Sequence, residues 1–110
     1  MKVYFYKKDS GRSPVEEFID SLSNEDKARF YQLITELQEH GLNAVRVIFK
    51  PIEGKLWEIK IRAKGGAYRI FYILISHDEI VLLHVFSKKS QKTPIKELKI
   101  ARDRMKEVLS

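Results

Sequence analysis

Between Leu56 and Ser87 the apolar and polar positions fall into three runs separated by turn residues. From Leu56 to Arg62 the alternation is strict. Trp57, Ile59 and Ile61 point one way, and Leu56, Glu58, Lys60 and Arg62 the other, which is the two-residue period of a strand. Ala63-Lys64-Gly65-Gly66 then reads as a hairpin loop whose glycines supply positive φ. Tyr68 to Ile75 is almost continuously apolar, as a central strand covered on both faces would be. After the turn Ser76-His77-Asp78, Glu79 to Ser87 completes a three-stranded meander, and Lys88 to Lys92 is a polar exit.

The flanks predict the rest of the fold. Lys2 to Lys8 is short and rich in β-formers, so it is expected to be a strand. Ser13-Pro14-Val15-Glu16 combines a cap, a first-turn proline and a capping-box acid, opening a short helix with Val15, Phe18, Ile19 and Leu22 on one face. Ser23 and Asp26 open a longer helix whose apolar positions Phe30, Leu33, Ile34 and Leu37 follow the helical period, and Gly41 is placed to end it. In Asn43 to Gly54, Pro51 and Gly54 argue for a loop. Thr93-Pro94 reads as a second cap-plus-proline start, for a last helix carrying Ile95, Leu98, Ala101, Met105 and Val108 on one stripe. The expected order is β-α-α-β-β-β-α. It describes an α+β fold in two layers, an antiparallel meander packed on an α-hairpin, as one domain over residues 1–110.

Composition narrows the function classes. With 44% hydrophobic and 33% charged residues in 110, the chain has the make-up of an ordinary globular domain. It carries no apolar run long enough to span a bilayer and no signal-peptide pattern, so a cytoplasmic protein is expected. Without cysteine it has no disulfide framework, thiolate nucleophile or cysteine-based zinc site. The net charge of +6 is unevenly divided: residues 1–54 hold 8 Lys/Arg and 9 Asp/Glu, whereas residues 55–110 hold 13 and 6. All of the excess positive charge lies in the half that contains the meander, which suggests a polyanion partner such as RNA or, equally, a solvated basic face.

Candidate chemistry is confined to that half. No metal site is expected, because His40, His77 and His84 lack partners at ligand spacing. No phosphate loop or nucleophile elbow is present, and no cofactor is expected. His84 interrupts the strand Val81-Leu82-Leu83-His84-Val85-Phe86; such a histidine is more often a satisfied core or edge residue than a member of a site. Lys60 and Arg62 stand two apart on one face, Arg69 reaches them across a short hairpin, and Lys88, Lys89 and Lys92 follow the third strand. Cations gathered this way repel one another unless an anion sits among them or each points into water. RNA carries its own nucleophile in the 2′-OH, so an enzyme that cuts it has to orient that group, neutralise phosphate charge and move two protons. A lysine with a depressed pKa, Glu58 or His84 are the alternatives for proton transfer, and Tyr68, Tyr72 and Phe86 are possible stacking surfaces or simply core.

The segments SPVEEFIDSL, LQEHGL, LWEIKIR, YRIFY, IVLLHVF and KKSQKTP occur in an order that resembles the HigB-type toxins of the RelE/ParE superfamily, including the phage-derived HigB-like proteins. The resemblance implies a RelE-like fold. It also implies the toxin of a type II toxin–antitoxin system, a ribosome-dependent mRNA interferase that cuts A-site codons by 2′-OH attack without a metal. Its partners would be mRNA on the ribosome and a HigA-like helix-turn-helix antitoxin, with no membrane. By matching segments, Lys60 takes the place of a catalytic lysine, Arg69 of a phosphate-stabilising arginine, and Lys89 of a second arginine that assists the leaving group. Arg62, Lys64, Lys88, Lys92 and Tyr68 are the expected RNA- and phosphate-binding set. Two positions depart from the pattern: Glu58 stands where RelE has a further lysine, and no tyrosine follows Tyr72 to stack on the substrate base. The alternatives are a non-catalytic basic RNA- or protein-binding module and a degenerate remnant that retains only antitoxin binding.

Overall fold

The computed structural model describes residues 1–43, 47–88 and 92–110. Two helices follow the first strand, and four strands and a third helix complete the order: β1 (Lys2–Phe5), α1 (Pro14–Asp20), α2 (Asn24–His40), a 3-10 turn (Gly41–Asn43), β2 (Val47–Glu53), β3 (Leu56–Ala63), β4 (Gly66–Ser76), β5 (Glu79–Ser87) and α3 (Ile95–Leu109). The strands form one sheet in the order β1-β5-β4-β3-β2. β2 to β5 are antiparallel neighbours, and β1 adds to β5 in parallel. The fold is mixed α+β, as expected. No helix among the described residues is long and apolar enough to cross a membrane.

The strand alternation sends two sets of side chains in opposite directions. Ile59, Ile61, Tyr68, Ile70, Tyr72, Ile80, Leu82 and Val85 pack against Val15 and Ile19 of α1 and Phe30, Leu33 and Leu37 of α2. On the other face Leu56, Phe71, Ile73, Val81, Leu83 and Phe86 meet Ala101, Leu98, Met105 and Val108 of α3. This corrects the two-layer expectation: α3 lies across the sheet from the α-hairpin, and the helices sandwich the strands. YRIFYI in β4 is buried throughout because it is covered from both sides.

A second correction concerns residues 43–54. Val47–Glu53 is a strand, not a loop. Its proline is tolerated because β2 is an edge strand, and the register shifts between Pro51 and Glu53 where the ladder is interrupted. Both helix starts of the α-hairpin form as expected: the hydroxyls of Ser13 and Ser23 accept the backbone N–H of Glu16 and Asp26, each at 3.3 Å, and Gly41 ends α2 at φ 61°. The third start does not. α3 has Pro94 as its cap residue and no side-chain cap. The Thr93 hydroxyl instead faces Arg69, a donor buried in the sheet.

α2 and the β3–β4 hairpin are locked by one carboxylate. Asp26, buried in the first turn of α2, accepts the Gly65 N–H at 3.0 Å and the Tyr68 hydroxyl at 2.5 Å. The Tyr68 hydroxyl and the backbone N–H donors hold the Asp26 carboxyl below its usual range, while the same contact and burial push the Tyr68 phenol up to about 12. Of the two loop glycines only Gly66 needs positive φ, at 147°. Gly65 is required for space: a Cβ there would lie 2.4 Å from Asp26 Oδ2. Gly65→Ala is therefore expected to cost about 1–3 kcal/mol by breaking a buried hydrogen-bonded carboxylate, measured by urea unfolding against wild type. An unchanged midpoint would mean that the Asp26 contact contributes nothing.

Candidate nucleic-acid interface

The face covered in part by α3 also carries the polar residues. In the β3–β4 register Lys60 is the direct partner of Arg69, and Glu58 is the partner of Phe71. On β5, Phe86 pairs with Arg69. Cross-strand partners share a face, so Glu58, Lys60, Arg69 and Phe86 all project from the same side of the sheet.

Arg69 is buried, 1% exposed, and so is Glu58, at 0%. The Arg69 Nε lies 3.3 Å from Glu58 Oε1 and its Nη1 lies 3.5 Å from Oε2. The same Nη1 donates to the Thr93 hydroxyl at 2.8 Å. Glu58, the residue that departs from the RelE pattern, thus supplies the counter-charge of the buried arginine. The alternation put both residues on the right face but carried no sign that they would be buried, with Thr93 on the guanidinium.

Lys88 follows β5, its backbone N–H donating to the Ala67 carbonyl at 2.8 Å, and it stands two residues beyond Phe86, the β5 partner of Arg69. Burial, then the Arg69 guanidinium, then the Lys60 ammonium hold the Lys88 ammonium below the usual lysine range, while Glu58 pulls it back up. Three cations and one carboxylate therefore converge where β3, β4 and β5 lie side by side. Beside them a cleft of about 250 Å³ is lined by Phe86, Lys88, Lys92, Pro94, Lys96 and Glu97. It is basic but for Glu97, and it opens next to the cation cluster through the shared Lys88.

The other expected site residues lie elsewhere or differ in character. Tyr68 points to the opposite face, where it belongs to the core and donates to Asp26; it offers no stacking surface on the cationic side. Its place in β4 is one residue from Arg69, and adjacent strand residues face opposite ways. Lys64 is exposed on the hairpin tip and pairs with Glu25 at 3.4 Å, and Arg62 lines a groove with Glu25, Arg29 and Gln32 of α2. Lys89 lies outside the described residues. Tyr72 is core, and burial pushes its phenol up to about 12.

His84 reaches this face through an irregularity. Phe71 pairs with His84 and Tyr72 with Leu82, so Leu83 is an extra residue and both Leu83 and His84 turn toward α3. The imidazole stacks near Phe71 and Phe86. Its Nε2 lies 2.9 Å from Glu97 Oε2, and Arg104 Nη1 lies 3.3 Å from its Nδ1. Because Arg104 can only donate, Nδ1 accepts and Nε2 carries the proton toward Glu97. Burial, with Arg104 adding to it, holds the imidazolium below the ordinary 6.5, outweighing Glu97. His84 is therefore expected to titrate below 6.5 by NMR and to stay neutral at pH 7; a midpoint above 6.5 would show that Glu97 governs it. The His84 contribution to stability is complete above the unfolded value near 6.5 and is lost as pH falls toward the lower folded value. Sequence reasoning did not find Thr93, Glu97 or Arg104. Thr93 carried the signal of a helix cap, and the other two sit among many charges on a helix with no mark of which face they take.

No curated protein matches the chain. Residues 17–106 match the family described as Phage derived protein Gp49-like (DUF891), from within α1 to the last turns of α3. The match spans the whole sheet from β2 to β5 and with it every described member of the cation cluster, so the chain belongs to the phage-derived Gp49-like family, which is associated with RelE- and toxin-like proteins.

Proposed function

We propose that this protein is the toxin of a type II toxin–antitoxin pair, an endoribonuclease that cuts mRNA on the ribosome by 2′-OH attack and is neutralised by a HigA-like helix-turn-helix antitoxin. The observation that carries the reading is the convergence of Lys60, Arg69 and Lys88 on one sheet face beside a basic cleft. In the reaction the 2′-oxygen bonds to the adjacent phosphorus, the 5′-oxygen leaves, and a 2′,3′-cyclic phosphate remains. One proton departs from the 2′-OH and one arrives at the 5′-oxygen. Lys88 suits the first transfer, because a lysine held below its ordinary pKa has more of the free amine at neutral pH. Lys60 and Arg69 stabilise charge on the phosphate, and Lys89, by resemblance, assists the leaving group. His84 and Glu58, the alternative proton carriers, are both held by other groups, His84 by Glu97 and Arg104 and Glu58 by Arg69.

The burial of Arg69 favours a second reading, a binding module or toxin remnant that does not cut. Induction of the protein alone separates the two. A nuclease arrests growth and Lys60→Ala with Lys88→Ala relieves the arrest, whereas a remnant leaves growth unchanged.

A further inference from the structure

We infer that the cleft beside the cation cluster is a nucleobase pocket, and that Glu97 on its wall selects a base carrying an exocyclic amine over uracil. The inference rests on the reading of the cluster as a phosphate site for RNA and adds which nucleotide it prefers. The cleft, of about 250 Å³, suits one base. Lys88 belongs to both its lining and the cluster, so a nucleotide whose phosphate meets the cations has its base within reach of the cleft. Phe86 and Pro94 are the apolar walls. The Phe86 ring is held by Phe71 at 5.5 Å and by His84 at 5.8 Å between centroids, and an aromatic wall is what an unstacked base packs on.

Glu97 is the residue that phosphate binding does not explain. The charged lining is three lysines and this one carboxylate, and an acid weakens a site that holds only anions. A first-turn acid can serve its helix dipole from the surface, yet the Glu97 side chain is only 19% exposed and reaches β5. Its Oε2 accepts the His84 Nε2–H at 2.9 Å. Arg104 fixes that imidazole by donating to Nδ1 at 3.3 Å and to the Leu83 carbonyl at 2.9 Å. This chain uses one carboxylate oxygen and makes His84 a positioning residue. The other oxygen, Oε1, has no hydrogen-bond partner among the described residues and is left as an acceptor on a cleft-lining side chain. The amines of cytosine, adenine and guanine donate to such an oxygen. Uracil has none, and its edge N–H lies between two carbonyl oxygens that a carboxylate repels.

The test is NMR titration of the full chain with 2′-O-methyl trinucleotides, which 2′-OH attack cannot cut. All-cytosine and all-uracil forms are compared, because the two rings differ only at the edge to be read, and inorganic phosphate is the control. The cytosine form is expected to bind about tenfold tighter, the scale of one correctly read base edge. In Glu97→Gln the ratio is expected to fall to about one, because an amide can also donate to uracil, while phosphate affinity does not fall. His84→Phe keeps a ring against Phe71 and Phe86 but frees Glu97, and is expected to narrow the ratio with phosphate affinity kept. Equal wild-type affinities, no trinucleotide binding, or a ratio that survives in Glu97→Gln overturns the pocket, and the wild-type ratio alone decides if the variants do not fold. A wild type that shows the ratio but cuts no mRNA keeps the pocket and loses the nuclease reading. One that cuts mRNA yet binds both forms alike does the reverse.

Discussion

Arg69→Ala is expected to destabilise the protein by about 3–5 kcal/mol, because it leaves the Glu58 carboxylate buried without its counter-charge. Against the 5–15 kcal/mol of a typical domain, roughly, that is a large fraction of the whole. Replacing both partners with residues of similar volume, Glu58→Met with Arg69→Met, is expected to recover most of the loss, since neither charge then remains to be desolvated. Urea unfolding of the wild type, both single variants and the double variant measures the coupling. If the double variant loses the sum of the two single losses, the ion pair is not the reason for the cost. The consequence for function is direct: relief of toxicity by Arg69→Ala alone reports a lost fold as readily as a lost phosphate contact. Arg69→Lys, which keeps the charge but not the fork, is the better probe.

Lys88→Ala is expected to lower mRNA cleavage by about 10²–10⁴-fold, the range for removing a positioned proton-transfer group, while leaving stability unchanged or slightly raised. Stability does not fall because Lys88 lies in a field of like charge from Arg69 and Lys60, and its removal relieves repulsion. The pH profile identifies the role. A base gains rate as pH rises toward its pKa and levels off above it, so the plateau is expected below the ordinary lysine value of about 10.4. Glu58→Gln removes the one carboxylate that raises the Lys88 pKa, so the rising limb is expected to move to lower pH. A limb that stays in place in Glu58→Gln assigns the titration to another group, and full activity in Lys88→Ala excludes Lys88 as the base.

The parts of this fold that were legible in the sequence are those fixed by local signals. Strict alternation over 56–62 and the short hairpin after it were enough to bring Lys60 opposite Arg69, because a two-residue loop leaves little freedom of register. Ser13 and Ser23 marked their helices for the same local reason. What was not legible depends on contacts distant in the chain. Pro51 argued against β2 because nothing local reveals that a strand will sit at a sheet edge. The polar side of β3 looked solvent-facing, and nothing local showed that Glu58 and Arg69 would form a buried pair with Thr93 bonded to the guanidinium. The extra residue at Leu83, which swings His84 toward α3, has no signature in a run as uniformly apolar as IVLLHVF. Tyr68 failed as a stacking candidate because its neighbour Arg69 faces the cluster, and one residue along a strand reverses the face.

In the proposed function the cluster of Lys60, Arg69 and Lys88 in this phage-derived toxin-like domain cuts mRNA. Mapping of cellular mRNA 5′ ends after induction tests it most directly, with wild type, Lys88→Ala and Arg69→Lys compared in the same strain. New 5′ ends are expected at fixed positions within ribosome-bound codons in the wild type, strongly reduced in Lys88→Ala and Arg69→Lys although both variants remain folded. Growth arrest with unchanged mRNA ends, or the same ends in the wild type and in both folded variants, would contradict it.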